Sequence, residues 1–297
     1  MVGKNMEKNS DHHFQSTLAK PVTLTGHGVH SGLPSTLVIK PAEAGTGIVF
    51  IRQAPSGEKK SFRAIADETG ATELSTTLGN GEVRVETIEH LMAAINAYNL
   101  DNLTIEVSTN ELPILDGGSR CYCDAFDAAG TVSQKEKRDY IVIKKPVRVE
   151  SKNGFAEVQP FDGRRFDISI DFSTPVIGKS RIVFDLEPQK FRDEISKART
   201  FGFLKDVETL WAAGMALGSS LENSVVIGFD DKVVNPAGLY YENEFVRHKL
   251  LDSIGDTALI GAPFIGLFRS FRGGHFLNSK LVKALLDDGS FYEIKQF

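Results

Sequence analysis

The feature that most constrains this chain is that it reads the same way twice. The stretch from Lys20, "KPVTLTGHGVHSGLPSTLVIKPAEAGTGIVFIR", and the stretch from Lys145, "KPVRVESKNGFAEVQPFDGRRFDISIDF", both open Lys-Pro-Val and enter a strand. Each turns at glycine, returns as a strand that ends near a proline, turns at glycine again and enters a third strand. Alternation such as "FDISIDF" marks a half-buried strand, because successive strand side chains point to opposite faces. The order repeats downstream. "ETIEHLMAAINAYN", "NLTIEV" and "SRCYCDAFDAAG" read helix, strand, helix, as do "NEFVRHKLLDSIGDTALI", "FIGLFRSF" and "NSKLVKALLDD". Such a chain is expected to fold as a duplicated α+β pair, two similar domains, each a mostly antiparallel sheet packed with two helices. The expected domains span residues 14–134 and 139–297, with the charged stretch "SQKEKRDY" as linker and residues 1–13 as a flexible polar tail. The second half is longer by a block matching "RTFGFLKDVETLWAAGMALGSSLENSVVIG", read as a strand–helix–strand insertion at about 199–228. Its Phe201, Phe203, Leu204, Val207, Leu210 and Trp211 exceed what a surface excursion needs. They form either a small satellite core or a wall for an apolar ligand.

Composition narrows the function classes. The 297 residues allow about two domains, and 41% hydrophobic with 25% charged residues is an ordinary soluble balance. A net charge of −5 argues against a nucleic-acid partner and against a basic membrane-surface protein. No apolar run approaches the roughly 20 residues of a membrane span, and no early apolar segment reads as a signal peptide. The two cysteines, Cys121 and Cys123, stand in "CYC", which is neither redox spacing nor a disulfide framework. Buried reduced thiols, a cytoplasmic setting and a monomer are the expectation.

The chemistry concentrates in "ENEFVRHKLLDSIGD". At 3.6 residues per turn, Val246, Leu250, Leu251 and Ile254 share one side, while His248, Asp252 and Asp256 stand one turn apart on the other. A histidine with a carboxylate at i+4 has metal-ligand spacing; it is also the spacing of a surface ion pair. The matching helix of the first half carries His90 in the place of His248, preceded by Glu89. If the two helices pack about a pseudo-twofold axis, His90, His248 and Asp252 converge at the domain interface. Three protein ligands with an open position are the pattern of catalytic zinc, which lowers the pKa of bound water to about 7. Glu89 then fits a general base. Two histidines and a carboxylate also make the facial triad of Fe(II) oxygenases, but those need no base beside a ligand, so Glu89 favours hydrolysis. Amide hydrolysis further needs a stabilised oxyanion and a proton for the leaving amine. His275, in "RGGHFLN", is the candidate acid, with Asp256 holding its tautomer and favouring its charged form; alone it would read as a turn residue. His12 and His13 fall in the tail, and His27 and His30 in a glycine-rich turn.

Taken in order, "TIEHLMAA", "PILDGG", "ARTFGF", "EFVRHKLLDSIGD" and "GGHFLN" resemble the UDP-3-O-acyl-N-acetylglucosamine deacetylases of Gram-negative bacteria. These zinc amidases carry out the committed step of lipid A synthesis. The resemblance runs from "TLAKPVTLTGHGVHSG" to "LVKALLDD", nearly the whole chain. It implies two similar α+β domains with the site between them, and Zn²⁺ on His90, His248 and Asp252. It implies Glu89 as base, His275 supported by Asp256 as acid and oxyanion group, and Thr200 as a further oxyanion contact. It implies Phe201 beside the sugar, Lys249 at the sugar or phosphate, and Asp171 and Phe172 at the uracil. The insertion becomes an acyl-chain passage, which gives Leu204, Val207, Leu210 and Val226 a reason to be apolar. The chain departs from the family's pattern at Arg272, where a lysine is frequent, at Ser75, where some members carry cysteine, and at Phe276, where a small residue is commoner.

Overall fold

A computed structural model describes residues 13–54 and 56–297. The first half contributes β1 (Phe14–Leu18), β2 (Val22–His27), β3 (Pro34–Pro41), β4 (Ile48–Gln53), β5 (Lys59–Arg63), α1 (Glu89–Ala97), β6 (Leu103–Val107), α2 (Arg120–Ala129) and β7 (Thr131–Lys137). The second half opens with β8 (Tyr140–Ile143), β9 (Val147–Glu150), β10 (Phe155–Gln159), β11 (Arg164–Asp171), β12 (Lys179–Asp185) and α3 (Pro188–Glu194). It continues with β13 (Thr200–Phe203), α4 (Val207–Ala212), β14 (Ser224–Ile227), α5 (Glu244–Thr257), β15 (Phe264–Phe271), α6 (His275–Asp287) and β16 (Tyr292–Lys295). Among the described residues no helix is long and apolar enough to cross a membrane.

The repeat in the sequence is a repeat in topology. The first main sheet runs β2-β3-β6-β4-β5 and the second runs β9-β10-β15-β11-β12. Corresponding neighbours pair alike: β4 and β6 are parallel, as are β11 and β15, and the other neighbours on both paths are antiparallel. Both Lys-Pro-Val openings lead directly into the first strand of their sheet, at Val22 and Val147. One face of each sheet is apolar, through Leu37, Ile39, Phe50 and Ile105 in the first and Val158, Phe166, Ile168 and Phe268 in the second. Those faces turn inward onto the helices, and all eight side chains belong to one continuous core. Full burial of each such side chain is worth about 1.5–3 kcal/mol.

Helices α1 and α5 pack on each other at the centre, and α6 packs on α5, β9 and β10. Gly255 makes the central contact possible. A Cβ there would lie 2.0 Å from the backbone oxygen of Glu89, so only glycine lets α5 come this close to the start of α1. The polar face of α5 therefore does not meet solvent: His248, Asp252 and Asp256 are each 2% exposed, which excludes the surface ion pair.

The structure differs from the sequence reading between the halves. Most of "SQKEKRDY" is not coil: Thr131–Lys137 is β7, antiparallel to β1 with Leu18 opposite Thr131 and Phe14 opposite Lys137. Nearly every β7 side chain is exposed, so the strand leaves no apolar alternation to read; its backbone pairing and the bond from Asn102 to Gln134 hold it. The strand β8 after it is buried throughout, pairing in parallel with β15 and antiparallel with β16. Residues 1–12 of the expected tail lie outside the described residues. His13 is placed: its carbonyl accepts from the Arg138 amide at 2.8 Å, and its ring centroid stands 6.4 Å from that of Phe297. The block at 199–228 forms β13, α4 and β14, with β13 and β14 paired in parallel from Thr200 opposite Ser224 to Phe203 opposite Ile227.

Candidate active site

The site forms where the start of α1 meets the middle of α5 and the start of α6. Thr87 turns the chain into α1 with φ 58, an uncommon conformation for a β-branched residue. Its hydroxyl donates to Glu111 Oε1 at 3.3 Å, and Glu111 also takes the amides of His30 and Ser31, each at 2.8 Å. That anchorage delivers Glu89 and His90 as the first two residues of α1. On α5, His248 and Asp252 follow one turn apart, and Asp256 lies one turn further on.

Three of these side chains converge. His90 Nε2 lies 3.7 Å and His248 Nε2 3.3 Å from Asp252 Oδ1. The two rings meet edge to face with centroids 5.0 Å apart. One ligand atom from each of His90, His248 and Asp252 falls within 4.8 Å of the others. The tautomer of His248 follows from its second nitrogen: Nδ1 donates to the carbonyl of Ala198 at 3.0 Å, leaving the Nε2 lone pair toward Asp252. Burial, and then the neighbouring His248, pull His90 down to about 3; burial also lowers His248. Both imidazoles are thus neutral. Burial works against ionising Asp252, but its neighbours His248, Lys249 and His275 hold it below the usual carboxylate range. Its Oδ2 accepts from Lys249 Nζ at 2.9 Å, while the buried Oδ1 has no hydrogen-bond partner among the described residues. The lone pair of His248 Nε2 facing an orphaned carboxylate oxygen is repulsive unless a cation lies between them, and His90 Nε2 is directed at the same oxygen. The donor set, two imidazoles and one carboxylate, suits a divalent metal such as zinc.

Beside this triad stand a carboxyl and an imidazole, Glu89 and His275. Glu89 Oε2 accepts from the Thr76 amide at 3.0 Å, and its other oxygen lies 3.9 Å from His275 Nε2. Burial pushes the Glu89 carboxyl up to about 7, against the pull of His275. His275 is the first residue of α6, and its Nδ1 donates to Asp256 Oδ2 at 3.0 Å. Burial opposes its charge, but Asp256 and then Glu89 override it and raise His275 to about 10. Asp256 is held in turn by the Thr76 hydroxyl at 2.6 Å and Asn278 Nδ2 at 2.8 Å.

The triad and the pair open into one cleft of about 890 Å³. Leu204, Val207, Leu210 and Val226 line it, with Trp211 added by α4. Thr200, Phe201, Lys249 and Arg272 line it as well. The Phe201 ring stands 6.2 Å from His248 and 5.1 Å from Phe245, and Lys249 Nζ lies 5.5 Å from the Phe201 centroid. Asp171 and Phe172 are not in the cleft wall but one layer behind it. Asp171 Oδ2 receives Arg272 at 3.0 Å, and Phe172 packs on Phe201 at 5.7 Å. Of the three departures from the family's pattern, Arg272 and Phe276 face the cleft, Phe276 with 61% exposure, while Ser75 is buried outside it. Sequence reasoning missed Thr76, Asn278 and the Ala198 carbonyl. Asn278 carried a signal, since i+3 from His275 shares its helix face. Thr76 sits in a loop with no periodicity and carried none.

The family model described as UDP-3-O-acyl N-acetylglycosamine deacetylase matches residues 15–287. The UDP-3-O-acyl-N-acetylglucosamine deacetylases of Brucella ovis and Brucella abortus are each 52% identical to this chain over 281 residues, 95% of this chain and 98% of the relative. That of Brucella melitensis is 51% identical over the same span. A match of this extent over both halves means that the chain belongs to the UDP-3-O-acyl N-acetylglycosamine deacetylase family.

Proposed function

We propose that this chain hydrolyses the acetamide of UDP-3-O-(3-hydroxyacyl)-N-acetylglucosamine to acetate and the free amine, with Zn²⁺ held by His90, His248 and Asp252, as the committed step of lipid A biosynthesis. The observation that carries the metal reading is the buried, unpartnered Oδ1 of Asp252 facing the Nε2 atoms of two neutral histidines. Zinc bound there supplies Lewis-acid polarisation of the carbonyl and makes water more acidic. Glu89, with Oε2 fixed by Thr76, keeps its other oxygen to take a proton from the attacking water. Water adds to the acetamide carbon, the carbon–nitrogen bond breaks, and His275 gives the nitrogen its proton. Asp256 on Nδ1 keeps the His275 proton at Nε2, which faces Glu89 across 3.9 Å. Thr200 and charged His275 serve the oxyanion as it develops.

The cleft fits the rest of the substrate. Lys249 and Arg272 offer cations to a diphosphate, with Arg272 oriented by Asp171. The apolar wall of the insertion receives the acyl chain, each buried methylene being worth about 0.8 kcal/mol. Asp171 and Phe172 serve the uracil through the groups they support. The reading includes a monomer of two domains that meet after β7 rather than at residue 134, in a reducing cytoplasm, for which the free Cys121 and Cys123 speak. The test is acetate release by the zinc-loaded protein from the acylated sugar nucleotide and from its unacylated counterpart. Turnover of the acylated substrate alone, abolished by a chelator and restored by zinc, is expected. No release from either substrate with zinc bound would overturn the reading.

A further inference from the structure

We infer that Thr76 is a positioning residue that holds the base and the acid of this site in register across the two halves of the molecule. The inference rests on the acid–base roles given to Glu89 and His275 above. Thr76 is 1% exposed, does not line the cleft and is not one of the metal triad. It reaches both arms of the acid–base pair through different atoms. Its amide donates to Glu89 Oε2 at 3.0 Å, which leaves the other Glu89 oxygen on the His275 side. Its hydroxyl donates to Asp256 Oδ1 at 2.6 Å and lies 3.3 Å from His275 Nδ1. A hydroxyl has one proton and two lone pairs, so with its proton on Asp256 a lone pair remains for the Nδ1 proton of His275. Asp256 thus takes three donors, Thr76, Asn278 and His275, which fix both the carboxylate and the plane of the ring it orients.

The loop is itself tied to the start of α1. The Thr76 carbonyl accepts from the Ile88 amide at 3.3 Å, and Leu78 exchanges backbone bonds with Val85 at 2.8 and 2.9 Å. Glu89 arrives from the first half, Asp256 and His275 from the second. Thr76 is the residue bonded to all three. An error of about 1 Å between a proton acceptor and a proton donor is expensive in rate, and partners that orient reacting groups typically matter 10–100-fold.

Thr76→Val keeps the shape and the amide but removes the hydroxyl; Thr76→Ser restores it. With zinc-loaded proteins of equal metal content and the acylated sugar nucleotide, Thr76→Val is expected to lower kcat by about 10–100-fold with KM within about twofold, and Thr76→Ser to recover most of it. The ¹H–¹⁵N resonance of His275 Nδ1 should move in Thr76→Val and return in Thr76→Ser. A normal kcat and an unmoved resonance in Thr76→Val overturn the inference, as does a kcat loss that Thr76→Ser fails to rescue. A resonance that moves and returns, in a wild-type protein that releases no acetate, upholds the positioning role and instead removes the substrate reading.

Discussion

Glu89 and His90 are adjacent in sequence but differ in environment: His90 looks at two metal-type donors, Glu89 at a backbone amide and a charged imidazole. Replacing Glu89 with Ala should therefore lower turnover by about 10²–10⁴ while the protein keeps its zinc. Loss of zinc on the same change, measured by metal analysis of the purified variant, would make Glu89 a ligand and remove it as base. The apolar wall permits a second test. Leu204→Asp places a charge where the acyl chain should run, so KM should rise much more for long-chain than for short-chain acyl substrates. Equal rises for both would sink the passage. Legibility at this scale follows chain distance. His248, Asp252 and Asp256 could be read because one helix repeats them at one-turn spacing. Thr76 could not, because its partners lie 13, 180 and 199 positions away, and nothing local to "TELSTTL" encodes them.

Among the elements, α5 carries the greatest demand: it bears His248 and Asp252 of the candidate metal triad and Asp256, which accepts from His275, while lying against α1. Gly255→Ala should push α5 off the Glu89 carbonyl, lower stability by about 1–3 kcal/mol and weaken zinc binding, both visible in thermal unfolding with and without metal. Unchanged unfolding would mean that α5 shifts without cost. The outer face of the second sheet makes a separate prediction. Arg148, Glu157, Arg269, Asp167 and Arg181 pair in alternation across β9, β10, β15, β11 and β12. Hydrogen bonds from Arg181, and then Arg269, hold the Asp167 carboxyl below its ordinary value. Its stabilisation is therefore present at neutral pH and is lost as pH falls from about 4 through the folded-state value. Asp167→Asn should lower Tm at pH 7, and the difference from the native chain should close as pH falls through the folded-state value of Asp167; a constant difference would refute the linkage. The paired helices and strands of the duplicated sheets were legible because burial imposes period. Strand β7 was not, because it buries almost nothing and its order comes from β1, more than a hundred residues earlier.

For the whole molecule, the duplication explains why a single site needs both halves: His90 and Glu89 come from one, and His248, Asp252, Asp256 and His275 from the other. The sequence could say that the halves are alike, but not how tightly they are joined, since that depends on polar contacts without pattern. Arg164, at the start of β11, reaches across to α1 and the residues just after it. It donates to Asn99 Oδ1 at 2.7 Å and to Asn96 Oδ1, while Asn96 Nδ2 donates to the Ile254 carbonyl of α5 at 2.8 Å. This bracket closes the end of the α1–α5 contact away from the metal triad. Arg164→Met would leave two amide oxygens without their donor at a cost of about 2–4 kcal/mol. Because His90 comes from one half and His248 and Asp252 from the other, loosening the bracket should also weaken zinc affinity, while kcat per bound zinc stays near the native value. Calorimetric unfolding and a zinc titration of the same variant measure both. A lower Tm with native zinc affinity would show that the halves stabilise each other without setting the geometry of the site.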